Sequence, residues 1–186
     1  GRCINVSGGS TPSKDNLAFW NGDVPWVSPK DMKRLLIDDS EDHITQDALR
    51  ETRITLVPPS AILIVVRGMI LIRDFPVGVT TVPVTINQDM KALRPASFFF
   101  SLYLAHQLNA IQQAFFAIRE ESAHGTQCLR TELWKNLAVA VPPLEEQRQI
   151  VAYLDRKTAR IDALIAKKER LIELLQEKRI ALISHA

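Results

Sequence analysis

The sequence predicts an α+β fold, in which a globular unit with a strand-rich core is followed by one long helix. The middle of the chain carries short β-branched runs separated by Pro-Pro and Arg-Gly pairs, which is typical of strands joined by turns. The last third, Leu144 to Ser184, contains no Pro or Gly and is predicted to form one continuous helix. We therefore place the globular domain at residues 1–141 and the helix at residues 142–186.

Turn and capping residues delimit the first elements. The Gly- and Ser-rich segment at residues 8–13 is predicted to be a loop. A strand at Val24–Val27 ends at Ser28, which can cap a short helical turn because a proline follows it. Thr45 can cap a second short helix that runs through Arg50.

The remainder of the globular unit combines further strands with one longer helix. The helix is predicted at Ser97–Ile118, and its apolar residues at helical spacing are interpreted as core packing. These residues are Leu104, Leu108, Ile111, Phe115 and Ile118. A polar loop is predicted at 122–127. The predicted strands are Arg53–Val57, Ala61–Val66, Met69–Arg73, Val77–Thr81, Val84–Ile86 and Leu137–Val141.

The C-terminal helix carries a wide apolar stripe. With Leu154 at heptad position a, apolar residues recur at a, d and e, although lysines interrupt the pattern. Such a helix is about 60 Å long at ~1.5 Å per residue, which exceeds the width of a globular unit of about 140 residues. We therefore expect a partner helix to cover the stripe, the alternative being that it folds back on its own domain. The expected contact residues are Ile150, Leu154, Ile161, Leu164, Leu171, Leu175 and Leu182.

Composition gives a globular chain with no pronounced charge. The 186 residues are 46% hydrophobic, which is enough for a core, and the net charge is +2. Residues 144–186 hold nine basic and seven acidic side chains, so they account for the whole +2, while acidic residues cluster at 38–47. The distant Cys3 and Cys128 favour reduced thiols in a cytoplasmic protein. The apolar segment 57–72 contains two prolines and an arginine, so we expect buried strands there and no membrane span.

Few motifs indicate catalysis by this chain. It contains no P-loop and no Gly-rich loop paired with an Asn-Pro-Pro or Asp-Pro-Pro tetrapeptide, as a nucleotide-hydrolysing or methyl-transferring enzyme would need. Asp74 and the Asp89-Met90-Lys91 segment loosely match a Mg²⁺-dependent nuclease, although Asp89 can equally cap a turn. The histidines show no metal-ligand spacing, and a Ser-His-Asp arrangement stays open without a supporting motif. They are His43, His106, His124 and His185.

Several segments together resemble the specificity subunits of type I restriction-modification systems. The N-terminal matches are Gly-Ser-Thr-Pro-Ser at residues 9–13 and the Trp-Asn-Gly-Asp-Val-Pro-Trp-Val-Ser-Pro-Lys-Asp-Met segment at 20–32. Further matches lie at 56–61, 65–69 and 84–93. The last are Pro-Pro-Leu-Glu-Glu-Gln at 142–147 and segments at 154–155 and 158–162. They cover nearly the whole chain in the order that the family has.

The resemblance implies a non-catalytic, DNA-reading role. Residues to about 141 would form one target-recognition domain, and the helix would be a conserved spacer that pairs as an antiparallel coiled coil. Family members carry two such domains, each reading half of a split DNA sequence. Methyltransferase subunits would supply S-adenosylmethionine chemistry, and a restriction subunit would supply ATP- and Mg-dependent cleavage, so no cofactor is expected in this chain.

Two departures from the family pattern lead to a further expectation. The chain opens just before the Gly-Gly-Ser-Thr-Pro motif, where members have an earlier strand, and stops about where a second recognition domain would follow. We therefore expect a half subunit, either natural or a fragment. Two copies would pair through their helices and read two identical half-sites in inverted orientation.

The candidate DNA contacts come from polar and basic side chains. Segments shared across the family cannot encode different targets, so we expect scaffold or phosphate roles there and base reading elsewhere. Arg73 and Gln127 are the favoured base readers, and the acidic cluster should face away from DNA or contact another subunit. Trp20 and Trp26 are interpreted as core residues, with stacking on a flipped base as the alternative. The candidate DNA-binding residues are Lys14, Lys30, Arg67, Arg73, Lys91, His124, Gln127 and Arg130.

Two other function classes remain open from the sequence. One is an interaction protein whose helix assembles a complex while the globular unit binds protein. The other is a Mg²⁺-dependent nuclease using the two aspartates above. No membrane partner is expected.

Overall fold

The computed structural model describes residues 4–122 and 125–184. The chain divides into two compact units, Gly1–Leu144 and Glu145–Ala186. The division falls three residues after the predicted end of the recognition domain at 141.

Strands and short helices alternate through the globular unit. Its strands are β1 (Ile4–Gly8), β2 (Trp20–Val27), β3 (Leu36–Ile37), β4 (His43–Ile44), β5 (Ile62–Val65), β6 (Val77–Thr80), β7 (Thr85–Ile86), β8 (Met90–Pro95), β9 (Arg119–Glu121) and β10 (Gln127–Leu129). Its helices are α1 (Gln46–Thr52), α2 (Ser101–Ala110), α3 (Gln112–Ala117) and α4 (Thr131–Trp134). Short 3₁₀ turns occupy Leu17–Phe19, Pro29–Asp31 and Met69–Ile72.

A five-stranded mixed sheet forms the centre of this unit. Its strand order is β1-β8-β5-β6-β3, in which only the β6–β3 pair is parallel. All four residues of β5 are fully buried, as expected for the central strand of a sheet covered on both faces. Helix α2 packs against β6, so the helix covers one face.

A second sheet joins the first through the segment that links β6 to β8. Its order is β4-β2-β7, with β2 antiparallel to β4 and parallel to β7. A separate apolar cluster surrounds it, formed by Phe19, Val24, Trp26, Ile44, Ala48 and Ile54. The small β9–β10 hairpin completes the unit.

Several predicted elements agree with the structure. The Val24–Val27 strand is the end of β2, Ser28 and Thr45 begin the predicted turn and helix, and β5 to β7 lie in the predicted runs. The apolar stripe of the predicted helix is in the core, with Leu104, Leu108 and Phe115 buried. That helix is interrupted at Ile111, whose ψ of 18° ends α2, so it forms two helices.

Three predicted strands were wrong. In the predicted strand Arg53–Val57, the backbone of Arg53 adopts the left-handed conformation that ends α1. Within this segment only Val57 forms a β pairing, through an isolated bridge to Val84. Met69–Ile72 is a 3₁₀ turn, and residues 137–141 form no strand. Conversely, an earlier strand was expected to be missing from the chain, yet β1 runs into the glycine motif and pairs along β8.

The second unit is a single helix, α5 (Leu144–Ser184), as predicted. The apolar side chains of its stripe from Ile161 onward are about half exposed or more, including Leu164, Leu171 and Leu175. The coiled-coil pairing predicted for these residues requires a second helix, so it stays a prediction. Neither α5 nor any other helix within residues 4–122 and 125–184 is apolar enough over a sufficient length to cross a membrane.

Candidate nucleic-acid interface

The segments that resemble the family lie mainly inside the globular unit, and three of them, at 9–13, 20–32 and 84–93, contact one another. The Gly9 backbone lies so close to β7 that an added Cβ would stand 2.1 Å from the carbonyl oxygen of Ile86. The next amide, Ser10 N–H, donates to that same Ile86 oxygen at 3.0 Å. On the other side of β7, Asn87 N–H donates to the Val27 carbonyl at 3.0 Å. Three distant motifs are therefore joined by backbone contacts, which is a structural role.

The two tryptophans of β2 belong to this scaffold. Their rings meet edge to face with centroids 5.2 Å apart. Trp26 is buried, and its indole N–H donates to the Ser10 carbonyl at 3.0 Å, while that of Trp20 donates to the Ser13 carbonyl at 3.1 Å. Both rings thus fasten the loop after β1, in agreement with the core interpretation over base stacking.

Lys30 lies within the acidic cluster. Its Nζ is 2.9 Å from Asp42 and 3.1 Å from Glu41, and Lys33 contacts Glu41 as well. The hydrogen bond to Asp42, followed by that to Glu41, raises the pKa of Lys30 to about 12. The hydrogen bond from Lys30, followed by that from Lys33, lowers the pKa of Glu41. A phosphate would have to compete with two carboxylates for this ammonium group, so the phosphate contact predicted for Lys30 stays a prediction.

Other carboxylates of the acidic cluster also have side-chain partners nearby. Arg34 contacts Asp38, and His43 Nε2 is 2.8 Å from Asp39. The backbone N–H of Ser40 and then His43 lower the pKa of Asp39. Lys14 lies elsewhere, exposed in the loop after β1.

Four candidates, Arg67, Arg73, Gln127 and Arg130, lie in or beside one exposed turn, residues 68–73, which we call the reader turn. Gly68 has φ of 144°, and its N–H donates to the Gln127 carbonyl of β10 at 3.0 Å. Leu129 N–H donates to the Val66 carbonyl at 2.8 Å, and Arg67 forms a bridge with Cys128. The reader turn and the β9–β10 hairpin are therefore one continuous surface at the end of β5.

Basic side chains project from this surface with different partners. Arg67 Nε is 4.0 Å from an Asp89 carboxylate oxygen, and Lys91 is two residues beyond that aspartate in β8. Arg130 contacts Glu120 at 2.6 Å. Arg73 is exposed at the end of the reader turn and forms no ion pair with any described residue. Of this group, Arg73 is the cation most available to a new partner.

The side chain of one candidate, Gln127, is not exposed. Gln127 is 9% exposed, so in this structure its side chain is enclosed while its carbonyl supports the reader turn. Its base-reading role stays a prediction. His124 lies outside the described residues.

Arg119 is a residue that sequence reasoning missed. One guanidinium nitrogen of Arg119 donates to two successive carbonyls of the reader turn, Leu71 at 2.8 Å and Ile72 at 2.9 Å. The same guanidinium lies over the Phe116 ring at 5.3 Å. Because the two partners are 47 and 48 residues away in sequence, no local pattern could have indicated this contact.

The aspartates of the nuclease hypothesis have other partners. An Asp74 oxygen accepts from the backbone N–H of Phe75 at 2.8 Å, and Asp89 faces Arg67 and the Asn87 amide. Among residues 4–122 and 125–184, no group of three or more His, Cys, Asp or Glu side chains is arranged to hold a metal ion. The nuclease hypothesis therefore gains no support from the geometry.

Comparison with known proteins agrees with the resemblance of the motifs. The family model described as "Type I restriction modification DNA specificity domain" matches residues 3–174. The type I restriction enzyme EcoR124I/EcoR124II specificity subunit of Escherichia coli is 36% identical over 172 residues, which cover 92% of this chain and 43% of that protein. The MjaIX specificity subunit of Methanocaldococcus jannaschii is 28% identical over 187 residues, covering 97% of this chain and 40% of that protein.

Solved structures share the fold. The HsdS subunit of Thermoanaerobacter tengcongensis has a TM-score of 0.60 at 22% identity, over 87% of this chain and 36% of that one. A chain from a study of assembly and conformational transition of the type I R-M system has a TM-score of 0.63 at 23% identity, covering 87% of this chain and 37% of that one. The chain thus spans about two fifths of the length of the relatives it matches.

Proposed function

The chain belongs to the type I restriction-modification DNA specificity family, and on that premise we propose that it reads one half of a bipartite duplex DNA target without itself catalysing a reaction. The observation that carries the proposal is the match of the family model over residues 3–174, which spans the globular unit and most of α5. The chemistry of modification and cleavage would belong to partner subunits.

The distribution of contacts supports the proposal. The shared motifs bind one another through backbone hydrogen bonds, so we expect other segments to make the base contacts that differ between targets. The reader turn and hairpin offer arginines on an exposed surface, and arginine is suited to both phosphate oxygens and the guanine edge. Arg73 is the favoured base reader because it has no competing carboxylate among the described residues.

We assign the partners by analogy with the family. The chain would dock methyltransferase subunits, which bind S-adenosylmethionine, and a restriction subunit that uses ATP and Mg²⁺, in the cytoplasm. A second copy would cover the apolar stripe of α5 as an antiparallel helix, since that stripe is exposed on a single chain. A two-fold dimer of this kind would read two inverted half-sites.

Selection from a randomised duplex pool tests the function. The full chain should enrich one sequence, because contacts to base edges discriminate among base pairs. Arg73→Ala should relax the preference at one base position by ~1–3 kcal/mol if the arginine bonds that base with two N–H groups. The readout is the enrichment profile of each position.

Arg50→Ala is the matched control. Arg50 is an exposed arginine of α1 that pairs with Asp47 at 3.1 Å, so its removal should leave the profile unchanged. If the wild-type chain enriches no sequence from the pool yet captures a protein partner, the result would favour the alternative of an interaction protein. Cleavage of duplex DNA by the purified chain that depends on Mg²⁺ would favour the nuclease alternative.

A further inference from the structure

The reader turn exposes apolar side chains where a loop would ordinarily present polar ones. Met69 is 58% exposed and Ile72 is 48% exposed, whereas Leu71 between them is 1% exposed and faces the core. In a 3₁₀ helix, residues three apart lie one above the other. Met69 and Ile72 therefore form one small apolar face on the outside of the turn.

The apolar face is held in a fixed position. Leu71 N–H donates to the Gly68 carbonyl at 3.3 Å, and Arg73 N–H donates to that of Ile70 at 3.1 Å. Arg119 bonds two further carbonyls of the turn, as described above. With Leu71 anchored in the core, the outer side chains cannot turn inward without breaking these contacts.

Three arginines flank the turn in the fold. Arg67 precedes the turn, Arg73 ends it, and Arg130 follows the strand that pairs with its first residue. Arg67 and Arg130 already face Asp89 and Glu120, so Arg73 is the arginine of the three that has no carboxylate partner among the described residues. An apolar face that ends at such an arginine matches the floor of the DNA major groove, where thymine methyl groups lie between rows of phosphates.

We propose that Ile72, which lies beyond the shared segment 65–69, contacts a thymine 5-methyl group in the major groove with Met69 beside it, so that the reader turn specifies a T·A pair beside the base read by Arg73. This inference rests on the proposed DNA-reading function and adds the chemical feature that is read. Arg119 then acts as a positioning residue, since it holds the turn without reaching the bases.

Uracil substitution isolates the methyl group. Each thymine of the duplex enriched by the wild-type chain is replaced in turn by uracil, which keeps every hydrogen-bonding group and lacks only the 5-methyl. At one or two positions, binding of the full wild-type chain should weaken about three- to fourfold, the effect of exposing one buried methylene-sized group. The Ile72→Ala variant should bind the thymine and uracil duplexes equally at the position concerned.

Leu36→Ala is the control, because Leu36 is an equally exposed apolar side chain at 47% but lies in β3 of the central sheet. It should retain the full discrimination between thymine and uracil. Arg119→Gln should reduce that discrimination while the wild-type preference at positions read by other residues persists. A general loss of stability would instead weaken binding to all duplexes alike and reduce the preference at every position.

The outcomes separate the two proposals. If no sequence is enriched, DNA reading itself fails. If a sequence is enriched but contains no thymine, or tolerates uracil at every position, or the Ile72→Ala variant still discriminates, the methyl-reading inference is overturned and sequence reading stands. Bending of the duplex without sensitivity to uracil would mean that the turn acts as a wedge between bases, which also overturns the inference.

Discussion

The two units of the chain treat apolar side chains in opposite ways. In the globular unit, the four residues of β5 are wholly buried between layers. In α5, Leu164 and Leu171 are 54% and 55% exposed, although they recur at the spacing of a helix seam. The first unit buries its β5 side chains within one chain, and the second exposes an apolar stripe that we propose is covered by another helix of similar pattern. Stability and assembly should therefore be separable by mutation.

The largest effect is expected on assembly. Lysine at both Leu164 and Leu171 should weaken self-association more than about a thousandfold, because burying each leucine contributes about 1.5–3 kcal/mol and a two-fold interface contains every site twice. Sedimentation of the wild-type chain at micromolar concentration should give a dimer, and that of the variant a monomer. The unfolding transition of the globular unit should not move.

The control adds the same charges on another side of the helix. Ala163 and Ala166 are exposed and lie outside heptad positions a, d and e. Replacing both with lysine should leave the dimer intact. A wild-type chain that sediments as a monomer would contradict pairing between two copies, whatever the variants do.

The second-largest effect is expected on the stability of the globular unit and not on assembly. Gly9→Ala places a Cβ 2.1 Å from the carbonyl oxygen of Ile86 and 2.2 Å from that of Asn87, so the backbone of β1 or β7 must move. We expect a loss of about 3 kcal/mol in the free energy of unfolding of the globular unit, measured by denaturant titration, with self-association through α5 retained.

The neighbouring glycine provides a sensitive comparison. At Gly8, the atom nearest an added Cβ is Lys91 Nζ at 2.9 Å, which is the free end of a flexible side chain. Gly8→Ala should therefore cost less than about 1 kcal/mol, since the lysine can move aside. Equal losses at the two positions would mean that the close backbone approach does not stabilise the scaffold.

The sequence predicted best where one strong period or cap decides the structure. The α5 helix has an uninterrupted apolar period, and Thr45 accepts from Ala48 N–H at 3.2 Å as an N-cap should. The reader turn was predicted as a strand because four consecutive apolar residues have no period that distinguishes strand from helix. Its conformation depends on Gly68 and on Arg119 across 47 residues or more, which local propensity does not contain.

The candidate interface was predictable in part for the same reason. Arg67, Arg73 and Arg130 were selected by residue type, and the topology brings their segments together. Lys30 was selected in the same manner, yet its ammonium group lies against the carboxylates of Glu41 and Asp42. Residue type indicates what a side chain can bind, while its neighbours determine what it already binds.

The smallest effect tests the ion pairs of Lys30. Lys30→Met keeps the apolar stem and removes the ammonium group, so the pKa of Glu41 should rise towards its usual value because its main hydrogen bond is lost. A depressed carboxylate pKa stabilises the fold above the unfolded-state pKa, and this contribution disappears as the pH falls through the folded-state pKa. The wild-type chain should therefore be slightly more stable than the variant at neutral pH, and the difference should shrink as the pH falls from the unfolded-state pKa of glutamate, about 4.3, through the lower folded-state pKa of Glu41.

Exposed pairs such as Lys30 and Asp42 contribute little, commonly less than ~1 kcal/mol, so the comparison needs both NMR titration of the Glu41 carboxylate and thermal unfolding at several pH values. Lys135→Met is the control, since Lys135 is exposed and forms no ion pair with any described residue. If Lys30→Met left the Glu41 pKa unchanged, the lysine would not be held by the acidic cluster and would be free for a phosphate. The wild-type pairing instead makes Lys30 a weaker candidate for DNA contact than Arg73. Arg73→Ala should therefore reduce the salt dependence of DNA binding more than Lys30→Met does.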